Sequence, residues 1–221
     1  MTETLQVCEL FYSIQGESTR AGLPCLFIRL AGCNLRCSYC DASYTWSEGS
    51  PMTTAELLAW VDTVPGVMVE ITGGEPMLQP QTVALLRSIL AAGRTILLET
   101  NGSLPLAEVP DEVGIIMDVK CPDSGMAASN LTENIDILRQ RQQRGCRDEV
   151  KFVLCSEADF YWACTYVKAY ELTSFLPVLF SPVQPGFSAS ALAELLLASR
   201  LNVRLQLQLH TLLWPGATRG V

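Results

Sequence analysis

Apolar, β-branched or aromatic runs recur at fairly even spacing along the chain: Cys25 to Leu30, Val67 to Thr72, Thr95 to Thr100, Gly114 to Val119, Val150 to Cys155, Phe175 to Phe180 and Val203 to Leu209. Several are continuously apolar, the pattern of strands buried on both faces of a parallel sheet. Helical patterns lie between most of them. Thr54 to Val61 opens with Thr and carries Glu56 in its first turn, which suits a helix N-terminus. Gln81 to Ala92 and Leu131 to Arg144 stop at Gly93 and Gly145, residues suited to the left-handed position just past a helix end. Glu157 to Tyr170 and Ser188 to Arg200 complete the set. Strand–helix alternation of this kind specifies a parallel α/β fold. A closed eightfold barrel usually needs about 250 residues. With 221 residues, the chain is expected to form an incomplete, TIM-like (β/α) barrel as a single domain spanning 1–221. In such folds the chemistry gathers at the C-terminal ends of the strands.

Composition narrows the class. A net charge of −8 and a pI near 4.7 argue against a nucleic-acid partner held through its phosphates, which needs a basic face. No apolar run approaches the ~18–20 residues of a membrane span. The start, Met1 to Gln6, has neither a basic nor an apolar signal region, so the expected location is the cytoplasm, where thiols stay reduced. Clustered cysteines are then read as ligands before disulfides.

One cluster stands out. Directly after the first strand run comes Ala31-Gly32-Cys33-Asn34-Leu35-Arg36-Cys37-Ser38-Tyr39-Cys40-Asp41, with no fourth Cys or His close behind. A structural zinc site closes four positions. Three thiolates suit a [4Fe–4S] cluster with one iron left open. Buried core cysteines, or a zinc site completed from afar, are the alternatives. The other cysteines are scattered and read as small core residues.

The flanking segments extend the pattern: Glu9-Leu10-Phe11-Tyr12-Ser13-Ile14-Gln15-Gly16-Glu17, Phe27-Ile28-Arg29-Leu30-Ala31-Gly32-Cys33-Asn34-Leu35 and Tyr39-Cys40-Asp41. Further on come Thr72-Gly73-Gly74-Glu75-Pro76, Glu99-Thr100-Asn101-Gly102, Asp118-Val119-Lys120, Ser181-Pro182-Val183 and Gln208-Leu209-His210. Together they resemble the 7-carboxy-7-deazaguanine synthase (QueE) family of the radical S-adenosylmethionine (SAM) superfamily, over nearly the whole chain. The resemblance implies a lyase that converts 6-carboxy-5,6,7,8-tetrahydropterin to 7-carboxy-7-deazaguanine with loss of ammonia, in queuosine and related 7-deazapurine biosynthesis. It also implies a [4Fe–4S] cluster, SAM, Mg²⁺, an external electron donor such as flavodoxin or ferredoxin, and a homodimer.

The resemblance also assigns residues. Cys33, Cys37 and Cys40 would hold the cluster; Tyr39, Cys40, Asp41, Gly74, Glu75, Asp118, Val119 and Lys120 would contact SAM; Ile14, Gln15, Gly16, Arg29, Thr72 and His210 would contact the pterin. No catalytic side chain is expected beyond the cluster and SAM. Read without the family, the same residues admit plainer roles. Tyr39 could pack over the cluster region, and Gly-Gly-Glu-Pro reads as a βα turn. Asp118 and Lys120 could form an ion pair at a barrel mouth. His210, the one His, could be structural. Arg29 interrupts an apolar strand on the same side as Phe27; its guanidinium needs an anion, either a substrate carboxylate held bidentately or an internal Asp or Glu.

Two departures from the family pattern matter. The third cysteine is followed by Asp41-Ala42-Ser43, where the family has a Thr whose hydroxyl ligates Mg²⁺. Ala42 lacks that oxygen, and Ser43 could replace it only if the backbone turned differently. The tail past His210 also departs, with Thr211 in place of Lys. The rival readings are a glycyl-radical-enzyme activase and a non-catalytic zinc-stabilised binding protein.

Overall fold

A computed structural model describes residues 4–221; Met1, Thr2 and Glu3, part of the start read above for a signal region, lie outside the described residues. The strands are β1 (Thr4–Ile14), β2 (Pro24–Leu30), β3 (Ser50–Thr53), β4 (Met68–Gly73), β5 (Ile96–Thr100), β6 (Gly114–Asp118), β7 (Glu149–Leu154), β8 (Val178–Pro182) and β9 (Arg204–Leu205). They form one sheet in the order β3-β1-β2-β4-β5-β6-β7-β8-β9. From β2 to β9 every pair is parallel, while β1 runs antiparallel to both β2 and β3. Among the described residues β3 and β9 do not pair, so the curled sheet stays open as a partial barrel.

The helices α1 (Thr54–Val61), α2 (Thr82–Ala91), α3 (Glu133–Gln143), α4 (Glu157–Ala169) and α5 (Ala189–Ser199) follow strands as the alternation requires, with a short α6 (Leu209–Leu213) near the end. The cap of α1 is Thr53, one residue earlier than expected, in a reciprocal capping box with Glu56. The helices cover the outer face of the sheet, where Leu26, Ile28, Leu30, Ile71, Leu98, Phe152 and Phe180 join the main core. A second, smaller cluster of Phe11, Cys25, Phe27, Met68, Leu97 and Ile116 fills the inner face. Register sets what lies above it: Arg29 pairs with Thr72, and Asp118 with Lys151. Inner positions therefore change from apolar to polar towards the C-terminal ends of the strands. No helix among the described residues is long and apolar enough to cross a membrane.

Four elements differ from expectation. β1 and β3 were not anticipated. The run Phe175 to Phe180 starts pairing only at Val178, because Phe175 closes a short 3-10 turn at Leu172–Ser174. The run Val203 to Leu209 yields a two-residue strand, and Leu209 opens α6. There the Gln206 amide donates to Leu207 O at 2.7 Å and Gly16 O at 3.4 Å, so the stretch bonds to the loop after β1 and leaves the sheet.

Candidate active site

A cavity of about 490 Å³ opens at the C-terminal end of the sheet. The chain leaving β2 forms its upper wall, and close approach to β4 fixes that wall. Gly74 N donates to Leu30 O at 3.1 Å and Glu75 N to Gly32 O at 2.8 Å. A Cβ added at Gly74 would sit 2.0 Å from Gly32 O, and one at Gly73 (φ +139°) 2.2 Å from Leu30 O. The two glycines are thus required by the chain's own backbone before any ligand is considered. Gly32 N donates to Thr45 O at 2.7 Å, Ser38 N to Ser124 O at 3.1 Å, and Asn101 Nδ2 to Asn34 Oδ1 at 3.2 Å. So held, Cys33, Cys37 and Cys40 are all half-buried and line the cavity.

No three His, Cys, Asp or Glu side chains among the described residues converge closely enough to hold a single metal ion. Burial pushes the Cys37 and Cys40 thiols up, with Lys120 opposing at Cys37, so iron must displace protons there.

The neighbouring wall has open acceptors. Asp118 Oδ2 takes the Lys120 ammonium at 2.5 Å, while Asp118 Oδ1 is buried with no partner among the described residues. The Tyr39 hydroxyl is likewise buried and unpartnered. Burial raises its pKa, with Asp118 adding to the shift. Its ring lies 5.9 Å from Lys120 Nζ. An orphaned carboxylate oxygen and an aromatic face beside three thiols fit a ligand carrying an ammonium group and a heteroaromatic ring.

Lower in the cavity lies a charged network. Lys151 Nζ reaches Glu17 Oε2 at 2.6 Å and Glu99 Oε1 at 2.5 Å, and Thr72 Oγ1 donates to Glu99 Oε2 at 2.9 Å. Burial opposes ionisation of Glu99, but Lys151 overcomes it and holds the carboxyl well below its usual range. Glu70 has the opposite fate: burial, then the facing Glu99, push it well up, so Glu70 carries the proton. Arg29 donates from Nε to Glu9 Oε2 at 3.2 Å, and its guanidinium lies 5.4 Å from the Phe11 ring, which stacks on Phe27 at 4.7 Å. Among the described residues the two terminal nitrogens of Arg29 make no hydrogen bond.

All the expected site residues line this cavity except Ser43, Glu75 and Val119. Ser43 is exposed at the start of a 3-10 turn, Ser43–Trp46, that directs it away from the cavity; the wall there is the Ala42 methyl. Glu75 is fully buried on the far side, accepting from Asn101 N at 2.7 Å, Thr100 Oγ1 at 2.8 Å and Met77 N at 2.9 Å. It pins the βα turn, so what that turn offers a ligand is backbone. The Val119 side chain packs in the outer core. Gln15 lines the cavity, but its amide is committed: Nε2 donates to Glu70 and Oε1 accepts from Glu17 N. Of the two partners open to Arg29, the internal carboxylate exists, yet it takes only Nε. His210 sits on α6, not at a strand end, with Nδ1 packed against Gly16.

Sequence reasoning missed Glu9, Glu17, Glu70, Glu99 and Lys151 as site residues. Glu70 and Lys151 carry the same signal that singled out Arg29, a charge inside an apolar strand.

The radical SAM superfamily profile matches residues 27–123. A 7-carboxy-7-deazaguanine synthase from Chlorobaculum tepidum is 42% identical, covering 98% of this chain and 97% of that protein. The chain belongs to the 7-carboxy-7-deazaguanine synthase family. A second member, from Koribacter versatilis, is 40% identical over 98% of this chain and its own whole length. The crystal structure of QueE from Escherichia coli has the same fold, with a TM-score of 0.75 at 21% identity over 93% of this chain and 94% of that one. Family membership makes the chain a radical SAM enzyme of the lyase type and supports the [4Fe–4S] cluster and SAM as its cofactors; neither rival reading is favoured.

Proposed function

We propose that the chain converts 6-carboxy-5,6,7,8-tetrahydropterin to 7-carboxy-7-deazaguanine and ammonia, with the cavity as the site. The observation that carries this is one cavity with three thiols on its upper wall and an Arg29 fork, free at both terminal nitrogens, below them. Cys33, Cys37 and Cys40 would hold a [4Fe–4S] cluster, which with SAM beside it would supply one-electron hydrogen-abstraction chemistry. The protein binds, orients and excludes water. Backbone carbonyls at Gly73–Gly74 and Asp118 Oδ1 would accept from the N–H groups of the SAM amine, and the Tyr39 ring would face its adenine. Arg29 takes the substrate carboxylate on its terminal nitrogens. The protonated Glu70 and ionised Glu99 give donor and acceptor groups under the ring, with Thr72 and Lys151 fixing Glu99. Substrate and product-plus-ammonia contain the same atoms, so the conversion needs no net oxidant.

Further parts of the reading rest on the family. A low-potential donor such as flavodoxin or ferredoxin delivers the electron; the exposed Asn34, Arg36 and Ser38 on the outer side of the cysteine loop support access there. Mg²⁺ would sit beside the substrate near Ala42, where water would have to make good the missing hydroxyl. The working form is a cytoplasmic homodimer of single-domain chains.

The test is anaerobic reconstitution with iron and sulfide, then turnover with SAM, substrate and reductant, read by mass spectrometry. The deazaguanine should form without matching accumulation of deoxyadenosine. A colourless protein, or deoxyadenosine formed mole for mole with no deazaguanine, would overturn the assignment.

A further inference from the structure

β1 contains one irregularity, and it sits behind Arg29. Val7 pairs with Leu30 but Glu9 pairs with Arg29, so two residues of β1 oppose one step of β2 and Cys8 is the extra residue of a bulge. Before the bulge, Leu5 and Val7 face the outer core; after it, Phe11 faces the inner cluster. In unbroken alternation Glu9 would share the face of Val7. The bulge turns it inward instead, onto Arg29.

The Glu9 carboxylate is a three-way junction. Oε2 accepts from Arg29 Nε at 3.2 Å and from the Tyr44 hydroxyl at 3.3 Å, while Oε1 accepts from Gly220 N at 2.7 Å. Tyr44 lies just past the cysteine loop, and Gly220 is in the C-terminal tail. That tail covers the cavity: Trp214, Gly216, Thr218 and Val221 line it. Arg219 fixes it from outside, reaching Glu48 Oε1 at 2.8 Å with its guanidinium 4.2 Å from the Tyr44 ring. Glu9 itself does not line the cavity.

We propose that Glu9 is a positioning residue that orients the Arg29 fork towards the substrate carboxylate and couples that orientation to closure of the C-terminal tail. The inference rests on the reading of Arg29 as the carboxylate clamp. A hydrogen bond at Nε fixes the guanidinium plane and leaves both terminal nitrogens for a bidentate partner. The same carboxylate holds Gly220, so a seated tail and an aligned fork stabilise one another.

The experiment compares binding of the carboxylated substrate and of tetrahydropterin lacking the carboxylate to reconstituted wild type, Arg29→Ala, Glu9→Gln, Glu9→Ala and Arg219→Ala, with hydrogen exchange followed at residues 209–221. Arg29→Ala and Glu9→Ala should each weaken the carboxylated ligand by roughly tenfold or more, the scale of a lost charge-assisted hydrogen bond. Glu9→Gln should fall between, and the decarboxy ligand should change little. An Arg29→Ala/Glu9→Ala double variant should bind the carboxylated ligand no worse than the weaker-binding of the two single variants, since both break one unit. Tail exchange should rise in Glu9→Ala and in Arg219→Ala, which should also weaken the carboxylated ligand without touching Arg29. Arg29→Ala binding both ligands as wild type does would sink the clamp reading and the coupling with it. Arg29→Ala weakened while Glu9→Ala stays tight, or both ligands weakened equally by Glu9→Ala, would overturn the positioning role alone. A loosened tail in Arg219→Ala with unchanged affinity would overturn the coupling.

Discussion

A charge inside a buried strand survives only with a partner, and three such residues, Arg29, Glu70 and Lys151, meet around one cavity. Their presence is legible in the sequence as a single polar letter in an apolar run; their partners are not, because Glu9, Glu17 and Glu99 come from other elements. Glu70 gives a test by pH. Its folded-state pKa is raised above the ordinary 4.5, so between those values the folded chain holds a proton that the unfolded chain has released, and stability falls as pH rises through that window. Glu70→Gln keeps an acceptor for Gln15 and removes the titration. Its melting temperature should match wild type near pH 5 and exceed it by a few degrees near pH 9; an advantage that shrinks with pH would show Glu70 to be ionised in the fold. Ala42 gives another test. Mg²⁺ needs oxygen ligands near 2.1 Å, and water can replace one neutral hydroxyl. With the Ala42 methyl on the cavity wall and Ser43 outside it, Ala42→Thr should tighten the apparent Mg²⁺ affinity severalfold in turnover titrations, and Ser43→Ala should leave it unchanged. The reverse pattern would mean that the loop turns Ser43 inward when substrate binds.

At the scale of elements, what propensity and period could read was read: the parallel strands and their helices lie close to where the apolar runs end. β1 escaped because its bulge at Cys8 breaks the two-residue period, leaving Leu5, Val7 and Leu10 out of phase. The last apolar run misled for the converse reason, since Gln206 and Gln208 bond to Gly16 and Glu17 and a hydrophobic count cannot see those partners. The Gly-Gly-Glu-Pro turn was located, but its work is different: Glu75 ties the end of β4 to the end of β5, and Gly74 lets β4 touch the cysteine loop. Gly74→Ala should therefore act on iron without altering a ligand. Its methyl would sit 2.0 Å from Gly32 O and 2.9 Å from Cys33 Cβ, so the loop carrying Cys33 must move. Iron bound after reconstitution should drop severalfold, whereas Gly186→Ala, whose methyl meets nothing nearer than 3.6 Å, should load normally. Full loading of Gly74→Ala would show the loop to be compliant.

Across the whole molecule the apolar contacts and the chemistry occupy different sides of one sheet. The outer face packs Phe152 against Tyr166 and Phe180, with ring centroids at 5.8 Å and 5.2 Å; one residue earlier on the same strand, Lys151 points into the cavity. The cysteines lie beyond the strand ends in a loop that the core does not depend on. The two sets of substitutions should therefore separate cleanly. Phe152→Ala should cost about 3–5 kcal/mol of unfolding free energy, read by urea titration, yet still bind iron where it is folded. Cys33→Ala, Cys37→Ala and Cys40→Ala should each retain the wild-type apoprotein's circular dichroism and melting temperature to within a few degrees. Each should lose most of the roughly four irons per chain that a [4Fe–4S] site carries, and all deazaguanine formation with them. Unchanged iron and turnover in Cys37→Ala would remove the cluster from the cavity, and with it the chemistry assigned to this end of the sheet. An apoprotein that unfolds when a single cysteine is replaced would instead make the loop part of the fold, and the division of labour between the two faces would fail.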